Sequence, residues 1–240
     1  MQMPSRPPIR ATQPSTAARA AQEIRRLIFD GQIAAGQRVP QDEIAQALGI
    51  SRIPLREALI ALEREGWVTI ETHRGAFATA LDRDAVADHY ALYGITYGFA
   101  VDRAMSRSDH GALAVDLDGI RSQAIDASEI GFEPLSIAFH ATVVSAARSQ
   151  RVKVLLRAMP GLVPGNFYAY VPRAIESQRR GFDAIVAAIR AGDVAGARAA
   201  YEQNMQEQGD LAMAAFAERG LFDRDGTVRP PRRRQPLTAR

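Results

Sequence analysis

From residue 16 onward apolar side chains recur at helical spacing. Ala20, Ile24, Leu27 and Ile28 share one face, Thr16 is placed to cap, and Gly31 is placed to stop the segment. The turn-rich "GQIAAGQRVP" leaves room for a short strand at most. A second helix is expected at about 41–48, with Ile44, Ala45 and Leu48 inward. A third follows "GIS" and runs to Glu65, where Leu55, Ala58, Leu59 and Leu62 form an i, i+3, i+4, i+7 stripe. In "WVTIETHRGAFAT" the period changes. Val68, Ile70 and Thr72 alternate, "HRGA" supplies a turn, and Phe77 and Thr79 alternate again, which predicts a β-hairpin. Beyond Leu81 the pattern is helical almost throughout. Helices are expected at roughly 82–106, 110–127, 131–147, 150–160, 173–191 and 193–218, with breaks at Gly131, 161–164 and 192–193.

Three helices followed by a hairpin make a winged helix-turn-helix. The expected fold is therefore mainly α: a winged helix-turn-helix over 15–80, then an all-α helical bundle over 81–220. The proline- and arginine-containing ends, 1–14 and 221–240, have little to bury and read as a disordered arm and a basic disordered tail.

Composition narrows the function classes. At 47% apolar residues, the 240-residue chain can bury a core without covalent staples. It has no cysteine, which excludes disulfides and thiolate metal sites and fits a reducing, cytoplasmic setting. No apolar run reaches membrane-spanning length, and the first residues lack the apolar stretch of a signal peptide. The net charge of +3 is unevenly spread: residues 1–80 balance at +2, 81–220 at −3 and 221–240 at +4. Lys153 is the single lysine. No nucleophile–base arrangement, phosphate loop or paired acidic motif is present, so an enzyme is not expected.

The chemistry of the N-terminal part is that of a DNA reader. "DEIAQALGISRIPLREALIALEREGWVTI" has helix-turn-helix proportions, Gly49 permits the tight turn, and Ser51 is placed to cap the following helix. Arg52 and Arg56 are i, i+4 neighbours on the face away from Leu55, Leu59 and Leu62, where two guanidiniums can reach guanine edges or phosphates. His73 and Arg74 stand at the wing tip, and Gly75 lets a backbone come close. With Arg38 these make the candidate DNA-contacting set. The basic "RPPRRR" of the tail, Arg229 and Arg232–Arg234, offers either nonspecific phosphate attraction or solubility.

The stretch 24–79, and above all "SRIPLREALIALEREGWV", resembles the N-terminal domain of GntR-family bacterial transcription regulators. The helical remainder, through "AFHATVVSAARS" and "AIVAAIRAGDVAGARAA", is similar to the FadR-like branch with its FCD effector domain. The resemblance implies a homodimer that binds a short palindromic double-stranded DNA operator, usually represses, and answers to a small-molecule effector. Many FCD domains hold a divalent metal through an Asp-x3-His pair and two later histidines. Those positions fall here on Ser136, His140, Phe182 and Asn204, so one ligand of four remains and no metal or other cofactor is expected. Family members also carry an arginine near Thr96 and a glutamate near Ala100, and both are missing.

What replaces them is aromatic and polar but uncharged. Tyr90, Tyr93, Tyr97 and Phe99 mark the first helix of the domain, and Phe167, Tyr168 and Tyr170 mark a loop able to cover a pocket. Periodicity places His140, Gln178, Phe182, Asn204 and Gln208 on interior stripes, where unpaired polar groups are costly. The candidate effector pocket is therefore His140, Asn204, Phe182, Ser136, Gln178, Thr96, Tyr97 and Tyr93, taking an apolar, aromatic or acyl-like molecule. Two readings of His140 stay open, a polar anchor for an organic ligand and a core histidine satisfied by its neighbours. Two readings of the chain also compete with it: a constitutive DNA-binding dimer without effector, and a metal or carboxylate sensor with a degenerate site. Gly94 and Gly98 suit close helix packing or dimerisation.

Overall fold

The computed structural model describes residues 15–79, 83–159, 161–163, 165–218 and 222. The arm 1–14 lies outside the described residues, and so does the basic tail apart from Phe222.

Helix α1 (Thr16–Phe29) is capped one residue earlier than expected: Ser15 Oγ accepts from Ala18 N at 3.1 Å, and Thr16 is the first helical residue. Helices α2 (Gln41–Leu48) and α3 (Arg52–Arg64) follow, separated by Gly49, whose φ of 63° is the left-handed turn that the sequence called for. Ser51 occupies the N-cap position of α3, but its side chain makes no capping bond. Strands β1 (Val68–Glu71) and β2 (Gly75–Ala78) pair antiparallel, Val68 opposite Ala78 and Ile70 opposite Ala76. The alternation in β2 is shifted from the expected one. Ala76 and Ala78 are the buried residues, Phe77 lies half-buried on the other face, and Thr72 belongs to the turn. Arg38 forms a one-residue bridge to Phe77, the rudiment of a third strand. Ile70 N donates to Glu63 Oε1 at 2.8 Å, which ties the wing to α3.

The second part consists of α4 (Arg83–Arg107), α5 (His110–Ala124), α6 (Glu129–Ala146), α7 (Gln150–Ala158), α8 (Phe167–Tyr170), α9 (Arg173–Arg190) and α10 (Val194–Glu218). Gly131 is not a break. Ser128 caps α6 by accepting from Gly131 N at 3.3 Å, so the glycine lies in the first turn. Residues 167–170, expected as loop, are helical instead. There the Asn166 side chain accepts from Tyr168 N and Ala169 N at 2.9 and 3.2 Å and winds one short turn. Helices α4 and α10 pack tightly against each other; a Cβ on Gly94 would lie 3.1 Å from the Glu202 Cα. The close packing offered by Gly94 and Gly98 is thus used inside the chain.

Two apolar cores result. One, built on Phe132, Phe139, Phe182 and Tyr201, fills the helical bundle. The other starts with Ile24, Leu55, Leu62 and Trp67 but does not stop at the hairpin. It continues through Val86 and Tyr90 of α4, Leu162 and Val163, and Ala212 and Phe216 of α10. Phe29 packs edge-on against Tyr170 and Phe216, with ring centroids 5.3 and 5.2 Å apart. A continuous apolar core therefore joins the two parts.

Candidate DNA-reading face and ligand pocket

Burial of Leu55, Ala58, Leu59 and Leu62 turns the opposite face of α3 to solvent. Arg56 is exposed there, and Arg52, 85% exposed, pairs with Asp42 at 3.0 Å. Arg52 also shares a groove of about 350 Å³ with Arg38, Asp42 and Glu43. At such exposure the ion pair contributes little and orients the guanidinium without fixing it. Ile53, 72% exposed on the same helix, was missed in the sequence. Its signal was there, since it lies about 200° around the helix from Leu55.

The wing carries His73, Arg74 and Gly75. His73 has φ +63° and Gly75 φ +106°. Arg74 pairs with Glu71 and lies 5.4 Å from the Phe77 ring. What approaches the Gly75 backbone is the chain's own Arg38: a Cβ at Gly75 would stand 2.9 Å from Arg38 Nε. The candidate set thus forms a groove of Arg38 and Arg52, the Arg56 face one turn along α3, and the wing tip.

In the bundle a cavity of about 300 Å³ opens between α4, α6, α9, α10 and residues 161–163 and 165–168. Of the eight residues expected at an effector pocket, Tyr93, Tyr97, Ser136, His140 and Gln178 line this cavity. Thr96, Phe182 and Asn204 do not, each for a specific reason. Thr96 Oγ1 donates to Leu92 O within its own helix at 2.7 Å. Phe182 stacks on Phe139 at 3.9 Å and is fully buried. Asn204 packs its amide against Gly181, where a Cβ would be 2.2 Å from the amide nitrogen. Tyr90, Glu133, Phe167, Tyr168, Met205 and Gln208 complete much of the wall. Sequence reasoning had noted the rings without assigning them, and had no signal for Glu133.

One polar chain runs through the wall. Gln178 Nε2 donates to Asn204 Oδ1 at 3.1 Å and to His140 Nε2 at 3.3 Å, which leaves the imidazole proton on Nδ1. His140 Nδ1 and Gln208 Oε1 are buried without a partner. Burial pushes His140 and His89 down to about 4, so both are neutral at pH 7. Burial likewise raises the phenols of Tyr90, Tyr93, Tyr97 and Tyr168, which stay protonated. Ser136 Oγ and Tyr168 OH are 2.8 Å apart, and Tyr97 lies stacked between Tyr93 and Tyr201.

Residues 16–78 match the family model for bacterial regulatory proteins of the gntR family, and 98–207 match that for the FCD domain. The chain joins a GntR-family helix-turn-helix domain to an FCD domain. An uncharacterized HTH-type transcriptional regulator of Mycobacterium tuberculosis is 32% identical to it over 143 residues, 59% of this chain and 58% of that protein. The gluconate operon transcriptional repressor of Bacillus subtilis is 29% identical over 147 residues, 59% of each. These matches therefore span less than two thirds of the relatives' own length. Among solved structures, McbR/YncC of E. coli is 16% identical, with 87% of this chain and 100% of that chain covered at a TM-score of 0.57. That likeness shows the shared fold.

In this FCD domain the positions that resemble the family's metal ligands do not fit a metal. Ser136 is engaged with Tyr168, Phe182 has no donor, and Asn204 accepts from Gln178. Among the described residues no group of three or more His, Cys, Asp or Glu side chains gathers. No helix among the described residues is long and apolar enough to cross a membrane.

Proposed function

We propose that this GntR–FCD chain is a ligand-responsive DNA-binding transcription regulator, cytoplasmic, that acts as a homodimeric repressor on a short palindromic operator. The working division is 15–80 for the DNA-binding domain and 81–220 for ligand binding and dimerisation. The carrying observation is the segment between α7 and α9. Leu162, Val163 and Phe167 line the pocket, while Leu162 and Val163 belong to the core that holds the DNA-binding domain. Tyr170, three residues on, packs on Phe29 at the end of α1. A ligand that displaces this segment changes how the helix-turn-helix is carried, giving the differential contact that allosteric control requires.

DNA recognition is assigned to Ser51, Arg52 and Arg56 on α3, supported by Arg38 and by His73, Arg74 and Gly75 of the wing, with Ile53 available for a thymine methyl group. A dimer is supported by Leu92, Ile95 and Phe99, which leave an apolar stripe along α4 that is 52, 58 and 46% exposed. Repression is supported by the likeness to the gluconate operon repressor. With neither a fitting metal set nor an arginine among the described residues of the pocket wall, an organic effector with an apolar or aromatic body is the best-supported ligand, anchored by the His140–Gln178 pair.

The test is DNA selection with the full-length protein, followed by footprinting of Arg52→Ala and Arg56→Ala. Each variant should lose specific binding by tenfold or more while remaining dimeric in size-exclusion chromatography. Unchanged footprints would remove α3 as the reading helix.

A further inference from the structure

The charge of the pocket narrows its ligand further, on the basis of the effector-pocket reading above. Glu133 is the charged side chain in the described wall, and no Arg or Lys accompanies it. One Glu133 carboxylate oxygen accepts from Phe167 N at 3.3 Å, and no ion pair to Glu133 is found among the described residues. The two histidines of the wall are neutral, so nothing there balances a carboxylate. Burial pushes Glu133 above the usual carboxylate range, as befits an acid without a cation beside it.

The same cavity is lined by Tyr90, Tyr93, Tyr97, Phe167 and Tyr168, contributed by α4 and α8. Phe167 and Tyr168 meet at 78° with centroids 5.2 Å apart, and Tyr90 lies 6.4 Å from Phe167. Electron-rich ring faces attract cations, most strongly where water is excluded. Gln208 Oε1, buried and unpartnered, adds an acceptor on a residue of the wall. An anionic ligand would be repelled by Glu133 and would meet no cation in the described wall; the Gln178 amide protons are already committed to His140 and Asn204, which leaves it the neutral His140 Nδ1–H as a donor.

We infer that the pocket takes a small molecule with a cationic amine on an apolar or aromatic body, the ammonium held by Glu133 and the surrounding rings. The sign is opposite to that of a site built for a carboxylate. A cavity of about 300 Å³ suits a compact molecule of this class.

Calorimetry on the full-length protein with three matched probes tests this: 2-phenylethylammonium, 2-phenylethanol and 3-phenylpropanoate. The ammonium should bind at least tenfold more tightly than the alcohol, and the carboxylate weakest of all. Glu133→Gln should bring the ammonium to the level of the alcohol, with the alcohol's own affinity changed less than twofold. Preference for the alcohol or the carboxylate overturns the charge assignment, and so does ammonium binding indifferent to Glu133→Gln. The effector-pocket reading survives either result if Tyr97→Ala abolishes the observed binding. Absence of saturable binding by all three probes at millimolar concentration overturns both.

Discussion

His140 shows how one residue's environment sets its chemistry. Its sequence neighbours mark it as interior, and the Gln178 amide fixes its proton on Nδ1. Burial depresses its pKa from 6.5 to about 4, and the same holds for His89. The unfolded chain therefore binds these protons first, between pH 6.5 and 4, and stability falls as the pH is lowered through that window. For each histidine the loss amounts to roughly 1–3 kcal/mol. Urea unfolding at pH 7 and pH 4.5 should show this decline, and His140→Gln should remove about half of it. An unchanged pH dependence in that variant would contradict the neutral, desolvated imidazole. Lower in pH a second decline follows, because hydrogen bonds from Arg121 and Ser177, with ion pairing behind them, hold Asp118 and Glu207 below the usual carboxylate range.

Among the elements, α4 and α10 share the most extensive helix contact in the bundle, and glycine on α4 permits close approach along it. Gly94→Val would push a branched side chain into the Glu202 backbone and Met205, a change expected to cost about 1–3 kcal/mol. Gly119, on the solvent face of α5, has nothing within 4 Å of a built Cβ. Gly119→Ala should stabilise by roughly 0.5–1 kcal/mol through helix propensity alone. Chemical denaturation of the pair should show opposite signs, and equal effects would argue against the tight α4–α10 seam. At this scale the helices were legible because each buries one stripe against the next. The one-turn α8 was not, since a single side chain, Asn166, organises it.

Across the whole molecule, the DNA-binding domain is docked through Phe29 onto Tyr170 and Phe216. Phe29→Ala leaves a cavity at that junction and should cost about 3–5 kcal/mol. The loss should be local: hydrogen exchange is expected to speed up in α1 and in 161–170 while α9 and the centre of α10 stay protected. Uniform loss of protection would mean that the junction is part of one indivisible core.

By itself the sequence determined the winged helix-turn-helix, the bundle and the solvent-facing arginines of α3. All of these depend on residue type and local period, which a helix or hairpin expresses without knowing its partners. Tertiary structure alone decided which interior residues border the cavity. Ser136, His140 and Gln178 reach it while Phe182 and Asn204 are turned away, although all five lie on interior stripes. It also brought Glu133 into one cavity with five rings from two other helices and gave Arg38 to Gly75 rather than leaving the glycine open. Such juxtapositions follow from how helices cross and how far loops fold back, distances that periodicity along a single chain does not carry.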